Sequence, residues 1–231
     1  MKTWLNRLRA RRKARALTLY RSAISDIGLE LQRQATRSTA DYVRRNMYRV
    51  QSVDRWHAVH DVAVEHATLD GLVLEFGVYR ARTTNYIAAK RDWQLHGFDS
   101  FEGLPEPWRD GYPEARFARA DRPELAANVT LHVGLFADTL PRFLAALPAP
   151  ARPVAYLHVD SDLYSSAKTI LDHLGGRIVP GTVIVFDEYF NYSGWEEGEF
   201  RAFQDFVAAR GLRYDYLTYN HEHQQVALRI A

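Results

Sequence analysis

The chain has 231 residues, 47% hydrophobic and 25% charged, enough to bury one sizeable α/β core. A net charge of +2 gives no strong field toward nucleic acid, and the lack of cysteine excludes disulfides, thiolate zinc sites and a cysteine nucleophile. No apolar stretch approaches the roughly 20 residues of a bilayer-spanning helix, and no signal-peptide core follows the basic start, so a cytoplasmic location is expected.

Residues 1–35 read as helix. Seven Lys or Arg fall between Lys2 and Arg15, and the first acid is Asp26. Trp4, Leu5, Leu8, Leu17, Leu19 and Tyr20 form an interrupted apolar stripe. A basic amphipathic helix can lie on a membrane or bind RNA. Here the apolar face is weak, which favours an arm packed on its own domain or on a second copy. The expectation is a homo-oligomer formed through these helices, with no nucleic-acid partner and no stable membrane insertion. Helical stretches near 39–50 and 54–67 complete an N-terminal arm and cover, residues 1–68, ahead of a main domain at 69–231.

Gly71-Leu-Val-Leu-Glu75 opens a sheet, and Phe76-Gly-Val-Tyr-Arg-Ala-Arg-Thr83 turns into a helix through about Lys90. Gly77 allows close backbone approach, and the helix N-terminus offers free N–H groups. The full G-x-G-x-x-G is missing, with Tyr79 and Arg82 in place of small residues, which counts against a dinucleotide pyrophosphate. A second strand over 93–98 ends in Asp99, placed to accept from ribose hydroxyls, although a solvated strand end fits the same pattern. Residues 100–112 carry Gly103, Pro105, Pro107 and Gly111 and read as a loop. A strand over 128–133 follows, then Gly134-Leu-Phe136 and a helix over 139–147 with Pro141 in its first turn.

Val154-Ala-Tyr-Leu-His-Val159 runs into Asp160-Ser-Asp162, and Gly181-Thr-Val-Ile-Val-Phe186 runs into Asp187-Glu188. Both apolar runs are short and β-branched, as buried parallel strands are. Asp160 and Asp187 lie 27 residues apart, room for a crossover helix, so Asp160, Asp187 and Glu188 converge at one sheet edge. Converging carboxylates repel unless a cation lies between them, and oxygen donors favour Mg²⁺, Mn²⁺ or Ca²⁺. Helix caps and solvated strand ends would look the same. His158 shares a strand face with Asp160 and reads as a packed core histidine or a group near the metal. A helix over 195–210 starts with Glu196, Glu197 and Glu199, and 212–219 with 224–230 alternate as a closing hairpin.

Taken in order, these motifs resemble the class I S-adenosylmethionine (AdoMet) methyltransferases. Leu74-Glu-Phe-Gly-Val-Tyr-Arg-Ala-Arg-Thr83 is similar to the AdoMet corner of catechol O-methyltransferases. Gly97-Phe-Asp-Ser-Phe-Glu-Gly-Leu-Pro105, Ala137-Asp-Thr-Leu-Pro141 and Asp160-Ser-Asp-Leu-Tyr-Ser-Ser166 resemble the macrocin-type sugar O-methyltransferase family. The resemblance implies a Rossmann-like seven-stranded α/β sheet with an antiparallel last strand and helices on both faces. It implies Mg²⁺-dependent transfer of a methyl group from AdoMet to a hydroxyl of a sugar on a glycosylated natural product or glycan. It assigns Glu75, Gly77, Tyr79 and Thr83 to the methionine and ribose side of AdoMet, Asp99 to the ribose, and Leu135 and Phe136 to adenine. It assigns Asp160, Asp187 and Glu188 to the metal. The family more often has Asp-Asp at 187–188, and the catechol enzymes have a lysine at position 163, which is leucine here. Asp160 or Asp162 is left as the proton acceptor. Two other readings remain: a methyltransferase of catechols or other phenols, and an AdoMet-fold binding module without catalysis.

Overall fold

The structure is a computed structural model that describes residues 2–231. The side chains of 2–10, 19, 22 and 23 lie outside the described residues, and with them Trp4, Leu5, Leu8 and Leu19 of the predicted stripe. The N-terminal helical stretch is broken earlier than its sequence pattern suggests. Helix α1 (Lys2–Ser25) ends at Asp26, whose extended backbone and side chain cap α2 (Ile27–Asn46) by accepting from Leu29 N at 2.9 Å. Helix α2 covers the separate helix expected from residue 39 onward. It buries Ala35 and Thr39 and supplies Ala35 to the main core.

The chain then alternates between sheet and helix: β1 (Ser52–Val53), α3 (Trp56–His66), β2 (Leu72–Phe76), α4 (Arg82–Ala88), β3 (Leu95–Asp99) and β4 (Val129–Val133). Next come α5 (Phe136–Ala146), β5 (Val154–Val159), α6 (Tyr164–Leu174) and β6 (Val183–Phe186). A 3₁₀ turn (Trp195–Glu197), α7 (Glu199–Arg210), β7 (Tyr214–Asn220) and β8 (Val226–Ile230) close the fold. The helix expected over 195–210 is thus split at Gly198, whose extended ψ of −138° no helix continues through. Helix α5 starts at Phe136, three residues earlier than expected, so Pro141 stands inside it and not in its first turn.

The sheet has eight strands in the order β1-β7-β8-β6-β5-β2-β3-β4. Seven match the expected topology, with β8 antiparallel to both β6 and β7 and the other pairs parallel. The eighth, β1, is a two-residue edge strand on β7. Every residue of β2, β5 and β6 is buried, which is why their sequences are apolar on both faces, broken only by the paired Glu75 and His158. Leu74, Phe76, Leu157 and Ile184 pack on one face with residues of α5, α6 and α7. Val73, Tyr156, Val183 and Val185 pack on the other with Val59 and Ala63 of α3 and Ile87 of α4. The C-terminal ends of β2, β3, β5 and β6 are left side by side along one edge.

Candidate active site

A cavity of about 470 Å³ opens at that edge, within the size range of small-molecule sites. Gly77, Tyr79, Asp99, Leu135, Phe136, Asp160, Asp162 and Glu188 line it. Five of the seven residues expected to bind AdoMet are therefore brought together, and two are not. Glu75 is fully buried, and its Oε1 lies 3.0 Å from His158 Nδ1. Strand alternation turns it to the α3/α4 face, away from the cavity. Thr83 sits one residue into α4 and does not line the cavity either.

Gly77 has φ +94°, and a Cβ there would run into the carbonyl oxygen of Asp160. The glycine is required by the approach of β2 to β5, before any ligand is considered. Asp99 reaches back over the same turn. Its Oδ2 accepts from Val78 N at 2.8 Å and Tyr79 N at 2.7 Å, and its Oδ1 accepts from Phe101 N at 2.7 Å. One lone pair on Oδ1 stays available for a ligand hydroxyl. Leu135, 44% exposed, and Phe136 line the cavity together with Tyr79 and Phe117. A flat apolar group, a diol and a charged tail fit such a lining, so the residues present suit AdoMet.

The other end of the cavity is acidic. Burial and the neighbouring Asp187 and Asp162 carboxylates push the Asp160 carboxyl well above its usual range. Burial and Asp187 push Asp162 up to about 7, against a downward pull from the Arg109 guanidinium. Glu188 is raised by burial and by Asp187, Asp162 and Asp160, and its Oε2 has no hydrogen-bond partner. Such a group of acids invites a cation. Its membership differs from the expected one. Among the described residues, the ligand atoms that lie within 4.8 Å of one another belong to His158, Asp160 and Asp187. Glu188, which lines the cavity, is not in this group.

Three residues with weak sequence signals complete the site. Glu199, the first residue of α7, is fully buried. Its Oε1 accepts from Ser161 N at 2.8 Å, Ser161 Oγ at 2.9 Å and Asp162 N at 3.1 Å, and its Oε2 accepts from Glu188 N at 3.3 Å. It ties the ends of β5 and β6 together. Burial raises its carboxyl to about 8. The detectable signal is phase: Glu199 falls in step with the buried Ala202, Phe203, Phe206 and Val207. Gln225 donates to Asp187 Oδ1 at 3.1 Å from the hairpin. Arg109, on the 100–128 loop, lies over Trp108, Tyr112 and Tyr192 at 4.0, 4.7 and 5.0 Å. Nothing in its local sequence marked it.

Residues 74–189, half of the chain, match the family described as a methyltransferase domain. The chain belongs to this methyltransferase family. It is 29% identical over 157 residues to the 8-demethyl-8-(2,3-dimethoxy-alpha-L-rhamnosyl)-tetracenomycin-C 4'-O-methyltransferase of Streptomyces olivaceus, covering 54% of this chain and 57% of that protein. The chain thus spans a little over half the length of that curated relative. Among solved structures it resembles the calicheamicin methyltransferase CalS11, with TM-score 0.61, 22% identity, and 75% and 77% of the two chains covered. It also resembles the O-methyltransferase NovP, with TM-score 0.54, 22% identity and 75% and 76% coverage. These two likenesses establish the fold.

Proposed function

We propose that the protein transfers a methyl group from AdoMet to a hydroxyl of a sugar on a glycosylated small molecule, with a divalent cation beside the acceptor. The observation that carries this reading is the single cavity wall that joins an AdoMet-type corner, Gly77 to Asp99, to the acids Asp160 and Asp162. The names of the relatives support a sugar acceptor: a rhamnosyl-tetracenomycin 4'-O-methyltransferase, and CalS11, described as a TDP-rhamnose 3'-o-methyltransferase.

AdoMet supplies the methyl as an electrophilic sulfonium carbon. Tyr79, Leu135 and Phe136 bound the space for its ring systems, and Asp99 Oδ1 has capacity for a ribose hydroxyl. Holding the two reactants in line supplies about 7–11 kcal/mol of the barrier. Asp160 and Asp187 would hold the cation, for which Mg²⁺ is the expectation from oxygen donors. A cation there would stabilise negative charge developing on the acceptor oxygen. Asp162 lines the cavity with its carboxyl at about 7, suited to take the hydroxyl proton near neutral pH. The exposed apolar residues Leu17, Tyr20, Ile24 and Ile27 of α1 and α2 are taken as the surface for a second copy. No helix among the described residues is long and apolar enough to cross a membrane.

The test is a parallel assay of rhamnosides and other glycosides against catechols, with AdoMet and Mg²⁺, read by mass spectrometry. Methylated glycoside supports the reading. Methylation of phenols alone would replace the acceptor class, and no transfer together with retained AdoMet binding would favour a binding module.

A further inference from the structure

Among the buried polar atoms without a hydrogen-bond partner, one stands directly beside the acids. His158 is fully buried, and its Nε2 has no hydrogen-bond partner. Its other nitrogen is accounted for: Nδ1 lies 3.0 Å from Glu75 Oε1, and Glu75 is itself fully buried. A carboxylate can only accept, so Nδ1 carries a proton and in the neutral ring Nε2 carries the lone pair. That lone pair faces Asp187, whose Oδ1 is 4.0 Å away, too far for a hydrogen bond. No hydrogen bond joins it to the neighbouring His60, which stands edge-on to the ring at 4.7 Å with Nδ1 2.7 Å from the Tyr156 hydroxyl and its own Nε2 unpartnered. Strand register makes the arrangement rigid. Glu75 and His158 are paired across β2 and β5, and Asp160 follows directly on the end of β5.

We propose that His158 Nε2 is a ligand of the cation site together with Asp160 and Asp187, with Glu75 as the residue that orients it. This rests on the cation reading above and changes the ligand set and the preferred ion. A buried carboxylate on the far nitrogen of a histidine is the usual way such a ligand is fixed in tautomer and direction. A nitrogen donor shifts preference from Mg²⁺ toward first-row transition ions, in the order Mn²⁺, Fe²⁺, Co²⁺ and onward. The Glu188 carboxylate is then free to face the acceptor from the cavity wall that it lines.

The probe is Mn²⁺ added to the full-length protein, with affinity measured by calorimetry against Mg²⁺ and the bound ion examined by pulsed electron paramagnetic resonance. Mn²⁺ is expected to bind at least about 10-fold tighter than Mg²⁺, with nitrogen hyperfine coupling that changes isotope pattern when the protein carries ¹⁵N-histidine. Because labelling leaves the sequence intact, this readout does not depend on a variant folding. His158→Gln, checked by circular dichroism, should remove the coupling and weaken Mn²⁺ by about 10–100-fold. Glu75→Gln still accepts from Nδ1 and should keep the coupling. Tight Mn²⁺ binding without nitrogen coupling would overturn the inference and leave an oxygen-only cation site with a structural histidine. No Mn²⁺ or Mg²⁺ binding would overturn both.

Discussion

At the scale of single residues, three positions separate structure from chemistry. Gly77 is required by the fold, because any Cβ meets the Asp160 carbonyl and φ is +94°. Gly77→Ala should therefore cost about 2–4 kcal/mol of stability, measured by urea unfolding, and it is a poor probe of AdoMet contacts. Unchanged stability would show that β2 and β5 can separate without penalty. Glu199 accepts from three backbone N–H groups and one hydroxyl. Glu199→Ala strands buried donors and should cost about 2–4 kcal/mol, where one unpaired group costs about 1–3 kcal/mol. Glu199→Gln keeps one oxygen for Ser161 and Asp162 and should lose less than half of that. Asp162 is where the proton is expected to go. Asp162→Asn should lower kcat by about 10²-fold or more while AdoMet affinity, measured by calorimetry, stays near the parent value. The rising limb of the parent's pH profile, at or below the value of about 7 held by Asp162 before a cation lowers it, should vanish in the variant.

At the scale of elements, the β3/β4 pair carries an acid-sensitive contact. His96 Nδ1 lies 3.2 Å from His132 Nε2, and burial together with His132 holds His96 at about 4. The unfolded histidine titrates near 6.5. The folded protein therefore excludes a proton that the unfolded chain takes up. This contribution is complete above about 6.5 and is lost as pH falls toward 4. Urea midpoints at pH 7 and pH 5 should differ less in His96→Leu than in the parent, and an equal difference would place the acid sensitivity elsewhere. How well each element could be read from sequence follows from its chemistry. β5 and β6 were legible because fully buried strands are largely apolar runs, here each followed by acids. The start of α5 was not, because its N-cap is Leu135, which offers no side-chain oxygen. A two-residue strand such as β1 has no period to read. Of the three groups that could hold a cation, Asp160 and Asp187 were legible as acids at strand ends, whereas His158 reads equally well as a packed core residue. Arg109 was invisible because a loop residue over three rings leaves no pattern in its neighbours.

At the scale of the whole molecule, the buried acids tie folding to pH. Asp162 at about 7 and Glu199 at about 8 keep protons that the unfolded chain releases near 4. The folded state binds more protons, so this contribution to stability falls as pH rises from about 4 to about 8. In chelator, the acid cluster should lower the melting temperature at pH 8 relative to pH 6.5, and a divalent cation should raise it most at pH 8. An identical melt with and without cation at pH 8 would argue against a site. The N-terminal helices belong to this scale too. Sedimentation velocity should show a dimer or higher state that dissociates when Leu17, Ile24 and Ile27 become Ser, without binding to anionic vesicles at physiological salt. The central claim is that AdoMet is held by the Gly77 to Asp99 corner and the chemistry by the acids of β5 and β6. It is tested most directly by measuring AdoMet affinity and methyl transfer side by side in Asp160→Asn, Asp187→Asn and the chelator-treated parent. Affinity should stay within about threefold of the parent, the reach of contacts that do not touch the ligand. Transfer to a glycoside should fall by about 10²-fold or more in all three, and in the chelator-treated parent alone it should return when Mg²⁺ or Mn²⁺ is restored. Full transfer in chelator would contradict it, as would AdoMet binding that disappears along with the acids.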